Sequence, residues 1–143
     1  MGKKRIITKA GSEVSSRGGN SASRSSKRQV ISGVVSIVSS FNNTIVTISD
    51  KNGEVIAWAS AGSLGFKGAR KSTPYAATLV AKDAVEKAKR FNFQQASVTV
   101  RGVGPGREAA IRGVAGAGVD IVAITDATPI AHNGVRAPKP RRI

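Results

Sequence analysis

The sequence contains no cysteine. Disulfide stapling, thiolate catalysis and cysteine-held metal sites are therefore excluded. Histidine occurs once, at His132, so no Cys–His pair exists and the single imidazole has no orienting acid close by in sequence. Carboxylates are few, 8 Asp plus Glu. Of these, Asp50, Asp120 and Asp126 are the only ones to suggest a metal set, but Asp50 precedes a turn and Asp120 begins a strand, so convergence is not indicated. Neither a catalytic residue, a metal site nor a cofactor is expected. Aromatic residues are also scarce, with one Trp, one Tyr and four Phe, too few for an extended base-stacking platform. No apolar run approaches the roughly 20 residues of a membrane-spanning helix. No apolar signal segment follows the basic start of the chain either, so no membrane partner is expected.

Positive charge is what the chain has in excess. Its 143 residues, enough for one domain with a real core, carry 23 Lys plus Arg and a formal net charge of +15. A surplus of that size selects polyanionic partners, nucleic acid before an acidic membrane or protein. The ends hold most of it. Residues 1–28 carry eight cations against Glu13 alone, and residues 127–143 carry Arg136, Lys139, Arg141 and Arg142 with no side-chain carboxylate. Residues 29–126 have eleven cations against seven acids. The composition thus divides the chain into a basic N-terminal arm (1–28), an α/β nucleic-acid-binding domain (29–126) and a basic C-terminal tail (127–143), with both ends expected to be disordered until a polyanion orders them. The arm has the Arg/Ser-rich, acid-poor look of an organellar transit peptide but lacks its amphipathic apolar face.

Local signals place the elements. Val30 to Ser40, Thr44 to Asp50 and Glu54 to Ala61 are strand-like, and Asn52-Gly53 is expected to supply the positive φ angles of a hairpin turn. Thr73 caps a helix with Pro74 at its first position, and Ala76, Ala77, Val80, Ala84, Val85 and Ala88 form its apolar stripe. A strand at Ala96 to Arg101 precedes a second, short helix from about Pro105, and VDIVAIT reads as a buried strand. The order of three strands, helix, strand, helix, strand predicts an α/β layer on a mixed sheet. Trp58, Tyr75, Phe91 and Phe93 are expected in the core, with Phe41 and Phe66 in loops where they can stack on bases.

Two glycine-rich basic loops carry the chemistry. In VTVRGVGPGREAAIRG a strand runs into Gly102, Gly104 and Gly106 and a helix follows, so free backbone N–H groups meet the positive end of a helix dipole with Arg101, Arg107 and Arg112 close by. Arg107 in a first turn opposes the dipole, which predicts a phosphate there. Gly104, Gly106 and Ala109 fit the dinucleotide fingerprint with Asp126 as its acid, but three arginines exceed what a backbone-held pyrophosphate needs and a second nucleotide-binding half is lacking. In GSLGFKGARKSTPYAA, Lys67, Arg70 and Lys71 ride on a similar glycine-rich loop whose spacing is not that of a P-loop. Together the loops predict a surface that follows a phosphate backbone and reads RNA by shape and phosphate position.

SFNNTIVTISD, GFKGARKSTPYAA, RGVGPGREAAIRG and ITDATPIAHNGVR together resemble the S-eleven family of small-subunit ribosomal proteins, in its bacterial type. The resemblance implies a ribonuclease-H-like α/β fold without nuclease activity: a three-layer domain with a mixed five-stranded sheet, two main helices and basic disordered N- and C-terminal tails. It implies binding to the central domain of small-subunit ribosomal RNA on the platform, beside neighbouring platform proteins and close to messenger RNA. A cytoplasmic rather than organellar ribosome and a chain that is not a homo-oligomer are expected with it. Carried over by motif, the RNA-contacting residues are Asn42, Asn43, Lys67, Arg70, Lys71, Ser72, Arg107, His132, Asn133, Arg136, Lys139, Arg141 and Arg142. Pro138 and Pro140 keep that tail extended and lower the entropy lost when its cations meet phosphate.

Overall fold

A computed structural model of the chain describes residues 28–140. The expected N-terminal arm, apart from Arg28, and Arg141 and Arg142 of the tail lie outside the described residues. Among the described residues the chain forms β1 (Ser32–Ser39), β2 (Thr44–Asp50), β3 (Val55–Ser60), a 3-10 turn (Gly68–Ser72), α1 (Pro74–Lys89), β4 (Gln95–Arg101), α2 (Arg107–Gly116) and β5 (Asp120–Asp126).

The β2–β3 hairpin is closed by Gly53 N–H donating to the Asp50 carbonyl at 3.0 Å and Asp50 N–H donating to the Glu54 carbonyl at 2.9 Å. Only Gly53 takes a positive φ, +89°. The two-residue turn expected on Asn52-Gly53 is therefore corrected to a three-residue loop ending in a left-handed glycine, the other common hairpin solution. Helix α1 starts as its signals require: the Thr73 side chain accepts from Ala76 N–H and Pro74 stands at the first helical position. The second helix starts later than expected, with Gly106 as its cap and Pro105 before it.

The strands lie in the order β3-β2-β1-β4-β5. β2 is antiparallel to both neighbours, and β1, β4 and β5 are parallel. Two crossovers, β3–α1–β4 and β4–α2–β5, both step in the same direction across this sheet. Right-handed connections then put both helices on one face. The burial pattern agrees. Val35, Ile37, Val46, Ile48, Ala57, Ala59, Val98 and Val100 alternate inward and pack with α1 and α2 in one core. The mixed five-stranded sheet with two helices is thus present, but residues 28–140 build two layers of the expected three, because no crossover reverses direction to place a helix on the opposite face.

Small side chains bring the layers close. The buried face of α1 is five alanines with Val80 and Val85, and Gly113 of α2 lies where a Cβ would come within 2.8 Å of Ala81 Cβ. Thr78 Oγ1 donates to the Ala109 carbonyl at 3.3 Å across the same seam. The uncovered sheet face carries a row in register across all five strands: Trp58, Thr47, Ser36, Thr99 and Thr125. Trp58, expected in the core, is 55 % exposed there, since Ala57 and Ala59 take the inward positions. Strand β5, expected to be buried, is an edge strand whose Val122 and Ile124 are exposed. The helices lie over β1 to β4, and only Ile121 of β5 packs against the core.

Candidate nucleic-acid interface

Sheet polarity decides where the loops go. Strands β1, β3, β4 and β5 all end at the same edge, where β2 and both α-helices begin. That end therefore collects residues 40–43, the loop 61–73, the glycine loop 102–106 and the start of the tail. Both helix dipoles point their positive ends at it.

The sequence-predicted residues sort accordingly. Asn42 and Asn43 stand in a tight turn after β1, where Ser40 Oγ accepts from Asn43 N–H at 3.1 Å and donates to the Asn43 carbonyl at 3.1 Å. Asn42 is exposed and Asn43 half-buried, with its Oδ1 unpartnered among the described residues. Lys67 and Arg70 are exposed on the 3-10 turn before α1, with Lys71 and Ser72 half-buried beside them. Arg101 is exposed at the end of β4. Arg112 lies away from this end, midway along α2, 3.5 Å from Glu108. His132, Asn133, Arg136 and Lys139 follow along the exposed tail.

Charge pairing separates these groups. Among the described residues Arg28 pairs with Asp50 and Glu54, Lys87 with Asp83, Arg107 with Asp126 and Arg112 with Glu108. Lys67, Arg70, Lys71 and Arg101 meet no carboxylate among the described residues. Unpaired cations clustered at helix starts repel one another, and a polyanion relieves that repulsion.

The glycine loop is put to a use other than anion approach. A Cβ on Gly104 would sit 2.3 Å from the Ser40 carbonyl oxygen, and one on Gly106 2.7 Å from Thr44 Oγ1. The loop is thus pressed onto the ends of β1 and β2, with Gly104 N–H donating to the Ser39 carbonyl at 2.9 Å and Gly106 N–H to Ser39 Oγ at 3.2 Å. Arg107, read as a phosphate ligand, donates internally instead. Its guanidinium reaches the Gly102 carbonyl, the Asp126 carboxylate and, at 3.0 Å, Thr128 Oγ1. Asp126 accepts from Thr128 Oγ1 at 2.6 Å and from Thr128 N–H at 3.0 Å. Those bonds, with Arg107 beside them, hold the Asp126 carboxyl at about 2, below the usual carboxylate range. The folded form favours the carboxylate, so this contribution to stability is complete above the ordinary Asp range and is lost as pH falls towards 2. The sequence offered Asp126 as a metal-set or ribose-binding acid, and its pairing with Arg107, nineteen residues back, was not visible.

Aromatic exposure also differs from expectation. Phe41 is 70 % exposed, and Tyr75, expected in the core, is 69 % exposed beside the basic loop. Phe66 instead packs against the core and meets Tyr75 edge-on at 6.4 Å. Tyr75 falls outside the stripe led by Ala76 and Ala77, which is the signal that places it in solvent. Phe41 and Tyr75 are therefore the ring faces available at this end.

The two Asn-Gly pairs sit in opposite settings. Gly53 N–H is hydrogen-bonded inside a closed turn, whereas Asn133 (φ +55°) lies in a fully exposed stretch. Succinimide formation needs the following nitrogen free to attack the side-chain amide. In aged free protein, isoaspartate is expected to accumulate at Asn133 before Asn52. Peptide mass spectrometry checks this, and faster conversion at Asn52 contradicts it.

A family model described as Ribosomal protein S11 matches residues 33–142. The match takes in both helices, the sheet except Ser32, and the tail as far as Arg142.

Proposed function

The chain belongs to the ribosomal protein S11 family, whose members are structural, non-enzymatic proteins of the small ribosomal subunit, and we propose that it binds the central domain of small-subunit ribosomal RNA through the basic end of its sheet. The carrying observation is the charge segregation. Elsewhere on the described fold Arg28, Lys87, Arg107 and Arg112 have carboxylate partners and the unpaired Lys51, Lys82, Lys89 and Arg90 are spread over the hairpin turn, α1 and its C-terminal end, while Lys67, Arg70, Lys71 and Arg101 gather unpaired at the end from which the basic tail departs. In this reading Lys67, Arg70, Lys71, Arg101, Arg136 and Lys139 contact phosphates, Asn42, Asn43 and Ser72 hydrogen-bond to the sugar-phosphate backbone, and Phe41 or Tyr75 stacks on an unpaired base. His132, Asn133, Arg141 and Arg142 extend the contact along the RNA, and Arg112 touches it peripherally. The site lies on the platform of the cytoplasmic small subunit, next to neighbouring proteins and near the messenger RNA path.

Sucrose-gradient sedimentation of cell lysate tests the assignment. Co-migration with small subunits and whole ribosomes is expected, and a predominantly free pool contradicts it. Deleting residues 1–27 tests the arm separately. The core is built from Val30 to Val119 and the deletion spares Arg28, so the fold is expected to survive. The salt dependence of binding to a central-domain RNA fragment is expected to flatten, by roughly 0.7–0.9 in log–log slope for each phosphate that the arm neutralises. An unchanged slope shows that the arm does not touch the RNA.

A further inference from the structure

The tail begins at a junction of three elements. Ala127 N–H donates to the Val100 carbonyl at 2.9 Å, carrying the pairing of β5 with β4 one residue further. The Asp126 carboxylate then accepts from Thr128 N–H and Thr128 Oγ1, and Pro129 restricts the next φ. Onto this junction the Arg107 guanidinium closes from α2, spanning the Gly102 carbonyl of the β4–α2 loop, Thr128 Oγ1 and the Asp126 carboxylate. A planar fork with five fixed donors suits such a three-way junction, and a lysine does not. Beyond Pro129 every described residue is exposed. The last hold of the folded domain on the tail before His132, Asn133, Arg136 and Lys139 is therefore at residues 126–129.

We propose that Arg107, Asp126 and Thr128 form a positioning clamp that aims the basic tail at RNA before RNA arrives, so that less conformational entropy is lost on binding; the idea rests on the RNA-binding reading above. In this assignment Arg107 is a positioning residue and not a phosphate ligand. The glycine loop serves the same end, because its packing on Ser39, Ser40 and Thr44 fixes Gly102, against which the guanidinium is braced.

The clamp reverses the sign expected from bulk charge. Asp126→Asn removes one negative charge, so simple attraction predicts tighter RNA binding. The clamp predicts weaker binding, by about tenfold, the scale of releasing one ordered backbone residue. The log–log salt slope stays unchanged, since the variant removes no group that meets a phosphate. Arg107→Gln weakens binding by a similar factor. The double variant Arg107→Gln/Asp126→Asn is no worse than either single one, because both break one junction. In the free protein, nitrogen-15 relaxation shows residues 127–131 more mobile in every clamp variant. Thr128→Val keeps both charges and decides the matter if Asp126→Asn fails to fold.

Three results overturn the clamp: Asp126→Asn binding RNA as tightly as the wild type or tighter; Arg107→Gln lowering the salt slope while Asp126→Asn leaves affinity alone, which makes Arg107 a phosphate ligand; or unchanged relaxation at residues 127–131. The relaxation measurement uses no RNA. A wild-type chain that fails to bind the RNA fragment therefore refutes the proposed function, while the clamp is still judged on the free protein.

Discussion

Gly102→Ala is expected to destabilise the fold by about 2–5 kcal/mol, a large part of the ~5–15 kcal/mol that holds a typical domain together. Two costs combine. Gly102 has φ +98°, where an L side chain is disfavoured by roughly 1–2 kcal/mol. Its Cβ would also stand 2.1 Å from the Ser39 carbonyl oxygen, the acceptor of the Gly104 N–H bond. That contact is to backbone, so no side chain can rotate away, and overpacking of this kind costs about 1–3 kcal/mol. The expected fall in Tm is on the order of 10–20 °C, from the few degrees per kcal/mol usual for a domain of this size. Gly116→Ala is the control. Gly116 is helical, has no positive φ, and a Cβ there meets nothing within 4 Å, so the change is neutral or stabilising by up to about 1 kcal/mol. Similar Tm shifts for the two variants would show that the close approach of the glycine loop to β1 is wrong.

The second large effect is on RNA. Replacing Lys67, Arg70 and Lys71 together by alanine is expected to lower the log–log salt slope by about 2, at roughly 0.7–0.9 for each phosphate contact, and to weaken binding about 10²–10³-fold near 0.1 M salt. The fold is expected to be unaffected, because Lys67 and Arg70 are exposed, Lys71 is only half-buried, and none of the three is paired with a carboxylate among the described residues. Lys82→Ala/Lys89→Ala/Arg90→Ala removes the same charge from exposed positions on α1 and at its end. Salt-titrated binding to a central-domain fragment compares the two. Equal losses would mean that total charge, and not the loop before α1, carries the affinity.

Both expectations depend on features of unequal legibility. The loop before α1 was readable because its signals are local: a cap at Thr73, a proline behind it, an alanine stripe, and basic residues where a helix start prefers acids. The basic character of the tail was readable from composition alone. The four motifs that resemble the family are likewise stretches of contiguous sequence. The glycine loop was found by the same means but assigned a different task, because nothing in VTVRGVGPGREAAIRG says what its backbone will be pressed against. Arg107 shows the limit most clearly. Its partner Asp126 lies nineteen residues on, after a helix and a whole strand, and no rule of spacing joins them.

By itself, then, the sequence determined the charge asymmetry, the order and kind of the elements, the start of α1, the position of the β2–β3 turn and the class of partner. Each depends on neighbours within a few residues or on composition. The tertiary structure decided which sheet face is covered, that β5 is an exposed edge, that Trp58 and Tyr75 face solvent, and that Arg107 meets Asp126 and Thr128. Those outcomes follow from strand order and crossover direction, which bring together residues far apart in the chain. Periodicity tells which side chains share a face but not what lies over it, and that is fixed only when the sheet is assembled.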